Sequence, residues 1–281
     1  MNSDKIITGE RIQEIADVYL GEESSFQYNP RIRPQKNKQK YISEIQSQYD
    51  NPRIIYFYTH EILKIVKIID YFQNPFILIS HNSDENIIET KETLTILNSP
   101  KLIKWYSQNI CFFHPKLHMI PIGIANSMWP HGSLTIFNNN ELNNNINNKI
   151  NRIFFNFNIQ TNARIRQPCY NILSKYYLFL PNISPEENIK RLSKYEFCIS
   201  PEGNGVDCHR LWEALYLKVV PIVLRTPFTE TLLRNQIPLV VLNSWEDLLT
   251  IEKQLHYNNY DFSVIENKFT MDRIREIIIS V

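Results

Sequence analysis

Phe197-Cys198-Ile199-Ser200-Pro201-Glu202-Gly203-Asn204-Gly205-Val206-Asp207-Cys208-His209-Arg210-Leu211-Trp212-Glu213-Ala214-Leu215 reads as a strand, a glycine-bearing loop and a helix. Phe197 to Ile199 is a short apolar run of strand type. Pro201, Gly203 and Gly205 stop any helix there and free the backbone to turn and to approach a ligand closely. Asp207 is expected to cap the following helix, its carboxylate accepting from the first free amides. Leu211, Ala214 and Leu215 share a helical face that should pack on a sheet. His209, Arg210 and Glu213 cluster on the adjoining face.

A stretch of this make-up suits an anion. Free amides and the helix dipole favour negative charge. Arg210 adds a planar donor fork matched to phosphate. Glu213, one turn in, can accept from two neighbouring hydroxyls, as on a ribose. The same residues also make a plain strand–turn–helix, with Asp207 as cap and Arg210 and Glu213 as a surface ion pair. The stretch lacks both the six-residue glycine fingerprint of dinucleotide folds and the lysine of a P-loop.

Working outward, strands and helices alternate. Strands are expected at 54–58, 75–79, 110–113 and 119–122, with helices from 62 and over 85–97. Ile12, Ile15, Ala16 and Tyr19 have helical spacing. Residues 29–40 are basic and proline-bearing, and read as a solvated loop in preference to a phosphate-binding arm. Residues 138–148 are dominated by asparagine and read as the domain linker or an exposed loop. The second half restarts with a strand at 152–158 and a helical run holding Arg164, Arg166 and Tyr170. A helix at 184–194, strands at 219–224 and 238–242, and helices at 227–233, 245–255 and 264–279 complete it. This alternation argues for βαβ units and parallel sheets.

Ligands of open parallel sheets sit beyond the C-terminal ends of the strands. That rule singles out His60, His81, Asn82, Asp84 and His114, and then Gly123, Asn126, Trp129, His131 and Gly132 in the loop after 122. Each also has a plainer reading as a packed ring, a turn or a cap. As a group they are expected to border a cleft.

Composition narrows the classes. A formal net charge of +1 supplies no global field for nucleic acid or an anionic membrane. Cys111, Cys169, Cys198 and Cys208 lack close metal-ligand spacing, which suits a reduced, intracellular setting. The first residues lack a signal h-region, and no apolar run spans a bilayer, so a cytoplasmic location is expected.

Pro201-Glu202-Gly203-Asn204-Gly205, then His209 through Leu215, then Val219-Val220-Pro221-Ile222-Val223 resemble the C-terminal signature of exostosin-like glycosyltransferases, family 47-like. The match is close over 195–225 and loose over 110–170, and hardly touches the first hundred residues. It implies two Rossmann-like domains facing each other across a cleft, the GT-B architecture. Residues 1–148 would form the acceptor side and 149–281 the nucleotide-sugar side, with the last helix crossing back. The implied reaction moves a sugar from a nucleotide-diphosphate donor, a UDP-sugar by default, to a glycan hydroxyl. By that resemblance Glu202, Gly203, Asn204, Gly205, Asp207, His209, Arg210 and Glu213 hold the donor, with Arg164 preferred over Arg166 as a further cation. Asn82, Asn126, Trp129 and His131 would meet the acceptor. An inverting mechanism implies a base, with Asp84 first and His81 or His60 next. The sequence has no Asp-x-Asp pair, so metal-independent chemistry without a cofactor is expected. Glu202 lacks a glutamate eight residues on, where Arg210 stands, unlike many retaining transferases. The rival readings are an inactive nucleotide- or glycan-binding module, a dinucleotide enzyme and a nucleic-acid protein.

Overall fold

The alternating pattern resolves into two parallel sheets in a computed structural model that describes residues 2–22, 38–42, 53–139, 142, 145–146 and 148–281. The first sheet has six strands, in the order β2-β1-β3-β4-β5-β6. These are β1 (Val18–Gly21), β2 (Gln39–Tyr41), β3 (Ile54–Tyr58), β4 (Phe76–His81), β5 (Leu102–Ser107) and β6 (Leu117–Met119). Helices α1 (Gly9–Glu14), α2 (Ile62–Ile68) and α3 (Lys91–Asn98) accompany it. The second sheet has the order β10-β9-β8-β7, from β7 (Asn151–Phe154), β8 (Tyr195–Ile199), β9 (Val220–Leu224) and β10 (Val240–Leu242). Around it lie α4 (Ala163–Leu173), α5 (Pro185–Leu192), α6 (His209–Tyr216), α7 (Pro227–Arg234), α8 (Asp247–Ile251), α9 (Ser263–Lys268) and α10 (Met271–Ile279). This is a mixed α/β protein compatible with Rossmann-like domains.

Every residue of β3 and β4 is buried, which explains their unbroken apolar runs: a parallel strand covered on both faces has no polar side to show. One hydrophobic cluster runs through both sheets. The last helix, α10, packs against α1, and Tyr106 Oη of β5 donates to the Ile277 carbonyl at 3.4 Å. No helix among the described residues is long and apolar enough to cross a membrane.

Several boundaries differ from expectation, each for a local reason. The 12–19 spacing is helical, but the helix stops at Glu14, and Val18, Tyr19 and Leu20 pair with β3 instead. Strand β5 went unforeseen because Lys104 interrupts its apolar run. The strand expected at 110–113 is a single bridge from Ile110 to Ile87, so the helix expected from 85 starts only at Lys91. There Thr90 caps it, and Thr90 and Thr93 bond reciprocally in a capping box. The helical tail is two helices, α9 and α10, parted at Phe269 and Thr270. Of the basic stretch 29–40, residues 29–37 lie outside the described residues, while Gln39 and Lys40 belong to β2. Of the asparagine tract 138–148, residues 140, 141, 143, 144 and 147 also lie outside them.

Candidate functional site

The candidate site forms where loops after β4, β5 and β6 meet the loop after β8. Its second-sheet side is the 200–208 loop. Gly203 N donates to the Gly205 carbonyl at 3.2 Å, and Asn162 Nδ2 donates to the Gly203 carbonyl at 2.7 Å. Arg166 of α4 braces the same loop. Its Nε donates to the Glu202 carbonyl at 2.9 Å and its Nη1 to the Asn158 carbonyl at 2.8 Å, with the guanidinium over the Phe157 ring. Arg166 is therefore the arginine built into this loop, and Arg164 is exposed one position before Ile165. Neither Gly203 nor Gly205 adopts a left-handed backbone. A Cβ on Gly205 would sit 3.3 Å from the Asn109 side chain and 3.4 Å from Asp84 Cα, so close approach is what this glycine serves.

Asp207 does not cap α6. The N-cap is Cys208, which makes no side-chain cap bond. A tertiary partner takes the carboxylate instead: Oδ2 accepts from Ile122 N at 2.8 Å, and Oδ1 accepts from Trp212 Nε1 at 2.7 Å. Asp207 N donates to Asn109 Oδ1 at 2.9 Å. The residue thus ties the loops after β5 and β6 to the start of α6. Burial pushes its carboxyl up to about 7, with the two donors pulling the other way.

With Asp207 engaged elsewhere, the amides of His209 and Arg210 donate to no protein group among the described residues. Arg210 pairs with Glu213 Oε2 at 3.1 Å, donates from Nη1 to the Asn156 carbonyl at 2.6 Å and lies over the Phe154 ring. The pair is sheltered rather than on the surface, its side chains only 17% and 10% exposed. Glu213 Oε1 makes no hydrogen bond among the described residues. Glu202 is half-buried, which raises its carboxyl, and Thr226 bonds it in opposition. Asn204 is exposed at the loop tip.

On the first-sheet side, His81 ends β4 and is fully buried, Nε2 donating to the Pro121 carbonyl at 2.9 Å. Burial pulls its pKa down to about 4, so it is neutral at ordinary pH. Asn82 follows in the left-handed region, φ 54°. Its Nδ2 donates to Tyr56 Oη at 2.8 Å, and its Oδ1 accepts from Asn126 Nδ2 at 3.2 Å. Asn126 Oδ1 in turn accepts from Glu10 N at 2.9 Å, and the Glu10 carboxylate accepts from Ser127. Gly9 permits this closeness, for a Cβ there would lie 1.8 Å from Asn82 Oδ1. Asp84 is exposed beside Gly205, yet the surrounding protein raises its pKa, with His209 opposing and Glu85 adding. His60 is exposed, stacked on Tyr58 and 3.4 Å from Ser83 Oγ.

Trp129 stacks on His131 at 6.1 Å between ring centroids, and His131 meets His209 edge-on at 6.2 Å. His209 Nδ1 lies 2.8 Å from the Gly123 carbonyl. Asp84 and His131 are thus brought near enough to His209 to act on its charge. Sequence reasoning missed Asn109 and Gly9. Asn109 is also left-handed, φ 55°, and asparagine is a favoured residue there, but its place at a strand end was hidden with β5. Among the described residues, no group of three or more His, Cys, Asp or Glu is arranged to hold a metal ion. A separate depression of about 540 Å³, lined by Pro238, Tyr260 and Lys268, borders none of the candidate residues.

No family model matches the chain, and no curated protein matches it.

Proposed function

We propose that the chain is a glycosyltransferase that moves a sugar from a nucleotide-diphosphate donor, a UDP-sugar first among them, to a glycan hydroxyl. One observation carries the reading: the start of α6 combines undonated amides, a sheltered Arg210–Glu213 pair and a carboxylate oxygen left without a partner. Fixed donors of this kind stabilise a diphosphate as charge grows on it. Glu213 Oε1 suits a ribose hydroxyl. Arg166 shapes the loop from below, and Asn204 and Glu202 reach the sugar. In this reading the two sheets act as two domains across a cleft, 1–148 and 149–281. Asn82, Asn126, Trp129 and His131 receive the acceptor, the Trp129 and His131 rings offering a face for a sugar.

Calorimetry with UDP, GDP and their sugar conjugates tests the donor site. Specific binding is expected, with thermal stabilisation by mass action. Glu213→Gln is expected to weaken that binding about 10- to 100-fold, the worth of one charge-assisted hydrogen bond. The thermal midpoint without nucleotide should fall as well, since glutamine still accepts from Arg210 but no longer balances its sheltered charge, so affinity is read at a temperature where the variant is folded. Unchanged affinity would remove Glu213 from the donor site. An inverting reaction without a divalent cation is the proposed chemistry, Arg210 and the α6 amides facing the leaving group. UDP release from UDP-sugars in excess chelator should match the untreated rate, and loss of release would overturn that part. Binding without any turnover would make the protein a nucleotide-binding module.

A further inference from the structure

Resting on that reading, we propose that His209 is the group that takes the acceptor's proton. Its Nδ1 faces the Gly123 carbonyl at 2.8 Å, and a carbonyl oxygen can only accept. Nδ1 therefore carries the hydrogen, and the neutral ring presents Nε2 as a bare lone pair. Nε2 makes no hydrogen bond among the described residues, and the side chain is partly exposed. The carbonyl that sets the tautomer belongs to Gly123, which is left-handed, φ 67°, and packed closely against the Ile7 backbone. His209 also joins the two halves of the proposed site: it opens the α6 start of the donor side, and its ring meets His131 of the Trp129–His131 platform edge-on. His81 lacks this freedom because it is sealed under Pro121, and His60, in the turn after β3, is stacked on Tyr58 and lies 3.4 Å from Ser83 Oγ.

In the step, the acceptor O–H proton passes to Nε2 and the acceptor oxygen bonds to the anomeric carbon. The bond from that carbon to the phosphate oxygen breaks, and the nucleoside diphosphate leaves with the bonding pair toward the α6 amides. Burial holds the His209 pKa below its ordinary value, which keeps the base form present near neutral pH. The charged and titratable groups facing it are Glu213 on its own helix, His131 after β6, and Asp84 and His81 at the end of β4. Glu213 and Asp84 raise its pKa, and His131 lowers it.

The test uses the full chain with UDP-sugars and water as the acceptor, so that no glycan need be known. His209→Asn keeps an amide where Nδ1 stood and can still donate to Gly123, but it has no Nε2. It is expected to bind UDP within about twofold of wild type and to lose about 10²- to 10⁴-fold in UDP release. His209→Ala should regain part of its rate in added imidazole. Asp84→Asn should keep at least about a tenth of the wild-type rate, while the acid limb of the pH profile moves to lower pH, since a charge that raises the His209 pKa is gone. Undiminished release by His209→Asn would overturn the proposal. So would release abolished in Asp84→Asn alone, which makes Asp84 the base, and so would loss of UDP binding in His209→Asn, which makes His209 a donor ligand. Wild-type chain that neither binds UDP nor releases it from any sugar conjugate defeats the glycosyl-transfer reading itself, a result distinct from every variant outcome.

Discussion

Gly123→Ala is expected to destabilise the folded chain by about 3–5 kcal/mol, a large share of the roughly 5–15 kcal/mol that holds a typical domain together. Two costs add. Gly123 has φ 67°, where an alanine pays about 1–2 kcal/mol. Its Cβ would also sit 2.1 Å from the Ile7 carbonyl oxygen, a backbone atom with no rotamer to yield. The strand-like contact there, with Ile124 N donating to that same carbonyl at 2.9 Å, would have to part to make room. Gly205→Ala is the comparator. Its neighbours are the Asn109 side chain and Asp84 Cα at ordinary to tight contact, and its backbone carries no left-handed penalty, so a loss of about 1 kcal/mol is expected. Urea midpoints of the two variants decide the matter. Equal losses would mean that the 123–124 segment yields, and that the Gly123 carbonyl is not the fixed acceptor for His209 that the geometry shows.

What sequence could reveal of this arrangement follows from how local each contact is. Strand β3 was legible because burial on both faces leaves a continuous apolar signature. Arg210 and Glu213 were legible as a pair because helix geometry sets neighbours three residues apart, but whether that pair faces solvent depends on Asn156 and Phe154, which are 54 and 56 residues away in the chain. Asp207 shows the limit from the other direction. Its local preference for capping is real, yet a backbone amide 85 residues earlier and the Trp212 indole claim both oxygens. Arg164 and Arg166 could not be ranked by spacing, since two residues apart they lie on opposite faces of α4, and which face meets the loop is a packing outcome. Asn82 and Asn109 share a further signal, since an asparagine just past a strand of a parallel sheet is a favoured left-handed residue; Asn82 was singled out by its place at a strand end, and Asn109 was hidden with β5.

The pH dependence of stability is expected to be flat between about pH 4 and 6.5 with respect to two buried groups whose effects oppose one another. Asp207 binds its proton more tightly folded than unfolded, with a pKa of about 7 against roughly 3.9 in an open chain. Its contribution is therefore full below about pH 4 and is lost as pH rises to about 7. His81 runs the other way. Burial holds it at about 4 against roughly 6.5 unfolded, so its contribution is full above about pH 6.5 and is lost as pH falls to about 4. Each is worth roughly 3–4 kcal/mol across its window, with opposite slopes over the shared range. Single substitutions should unmask them. In Asp207→Asn stability should climb with pH from 4.5 to 6.5 relative to wild type, because of the two opposing effects only that of His81 remains. In His81→Gln, which can still donate to Pro121, stability should fall over the same range. Both variants will start lower than wild type, Asp207→Asn through an amide N–H set against another donor. The difference in slope, rather than the midpoint, is the readout, since the other titrating groups, Asp84, Glu202 and His209 among them, are common to all three curves. Urea titrations at three pH values measure it. Parallel curves for wild type and both variants would mean that Asp207 and His81 titrate alike in the folded and unfolded chain, and that the tie between the loops after β5 and β6 and the α6 start does not depend on the charge state of its carboxylate.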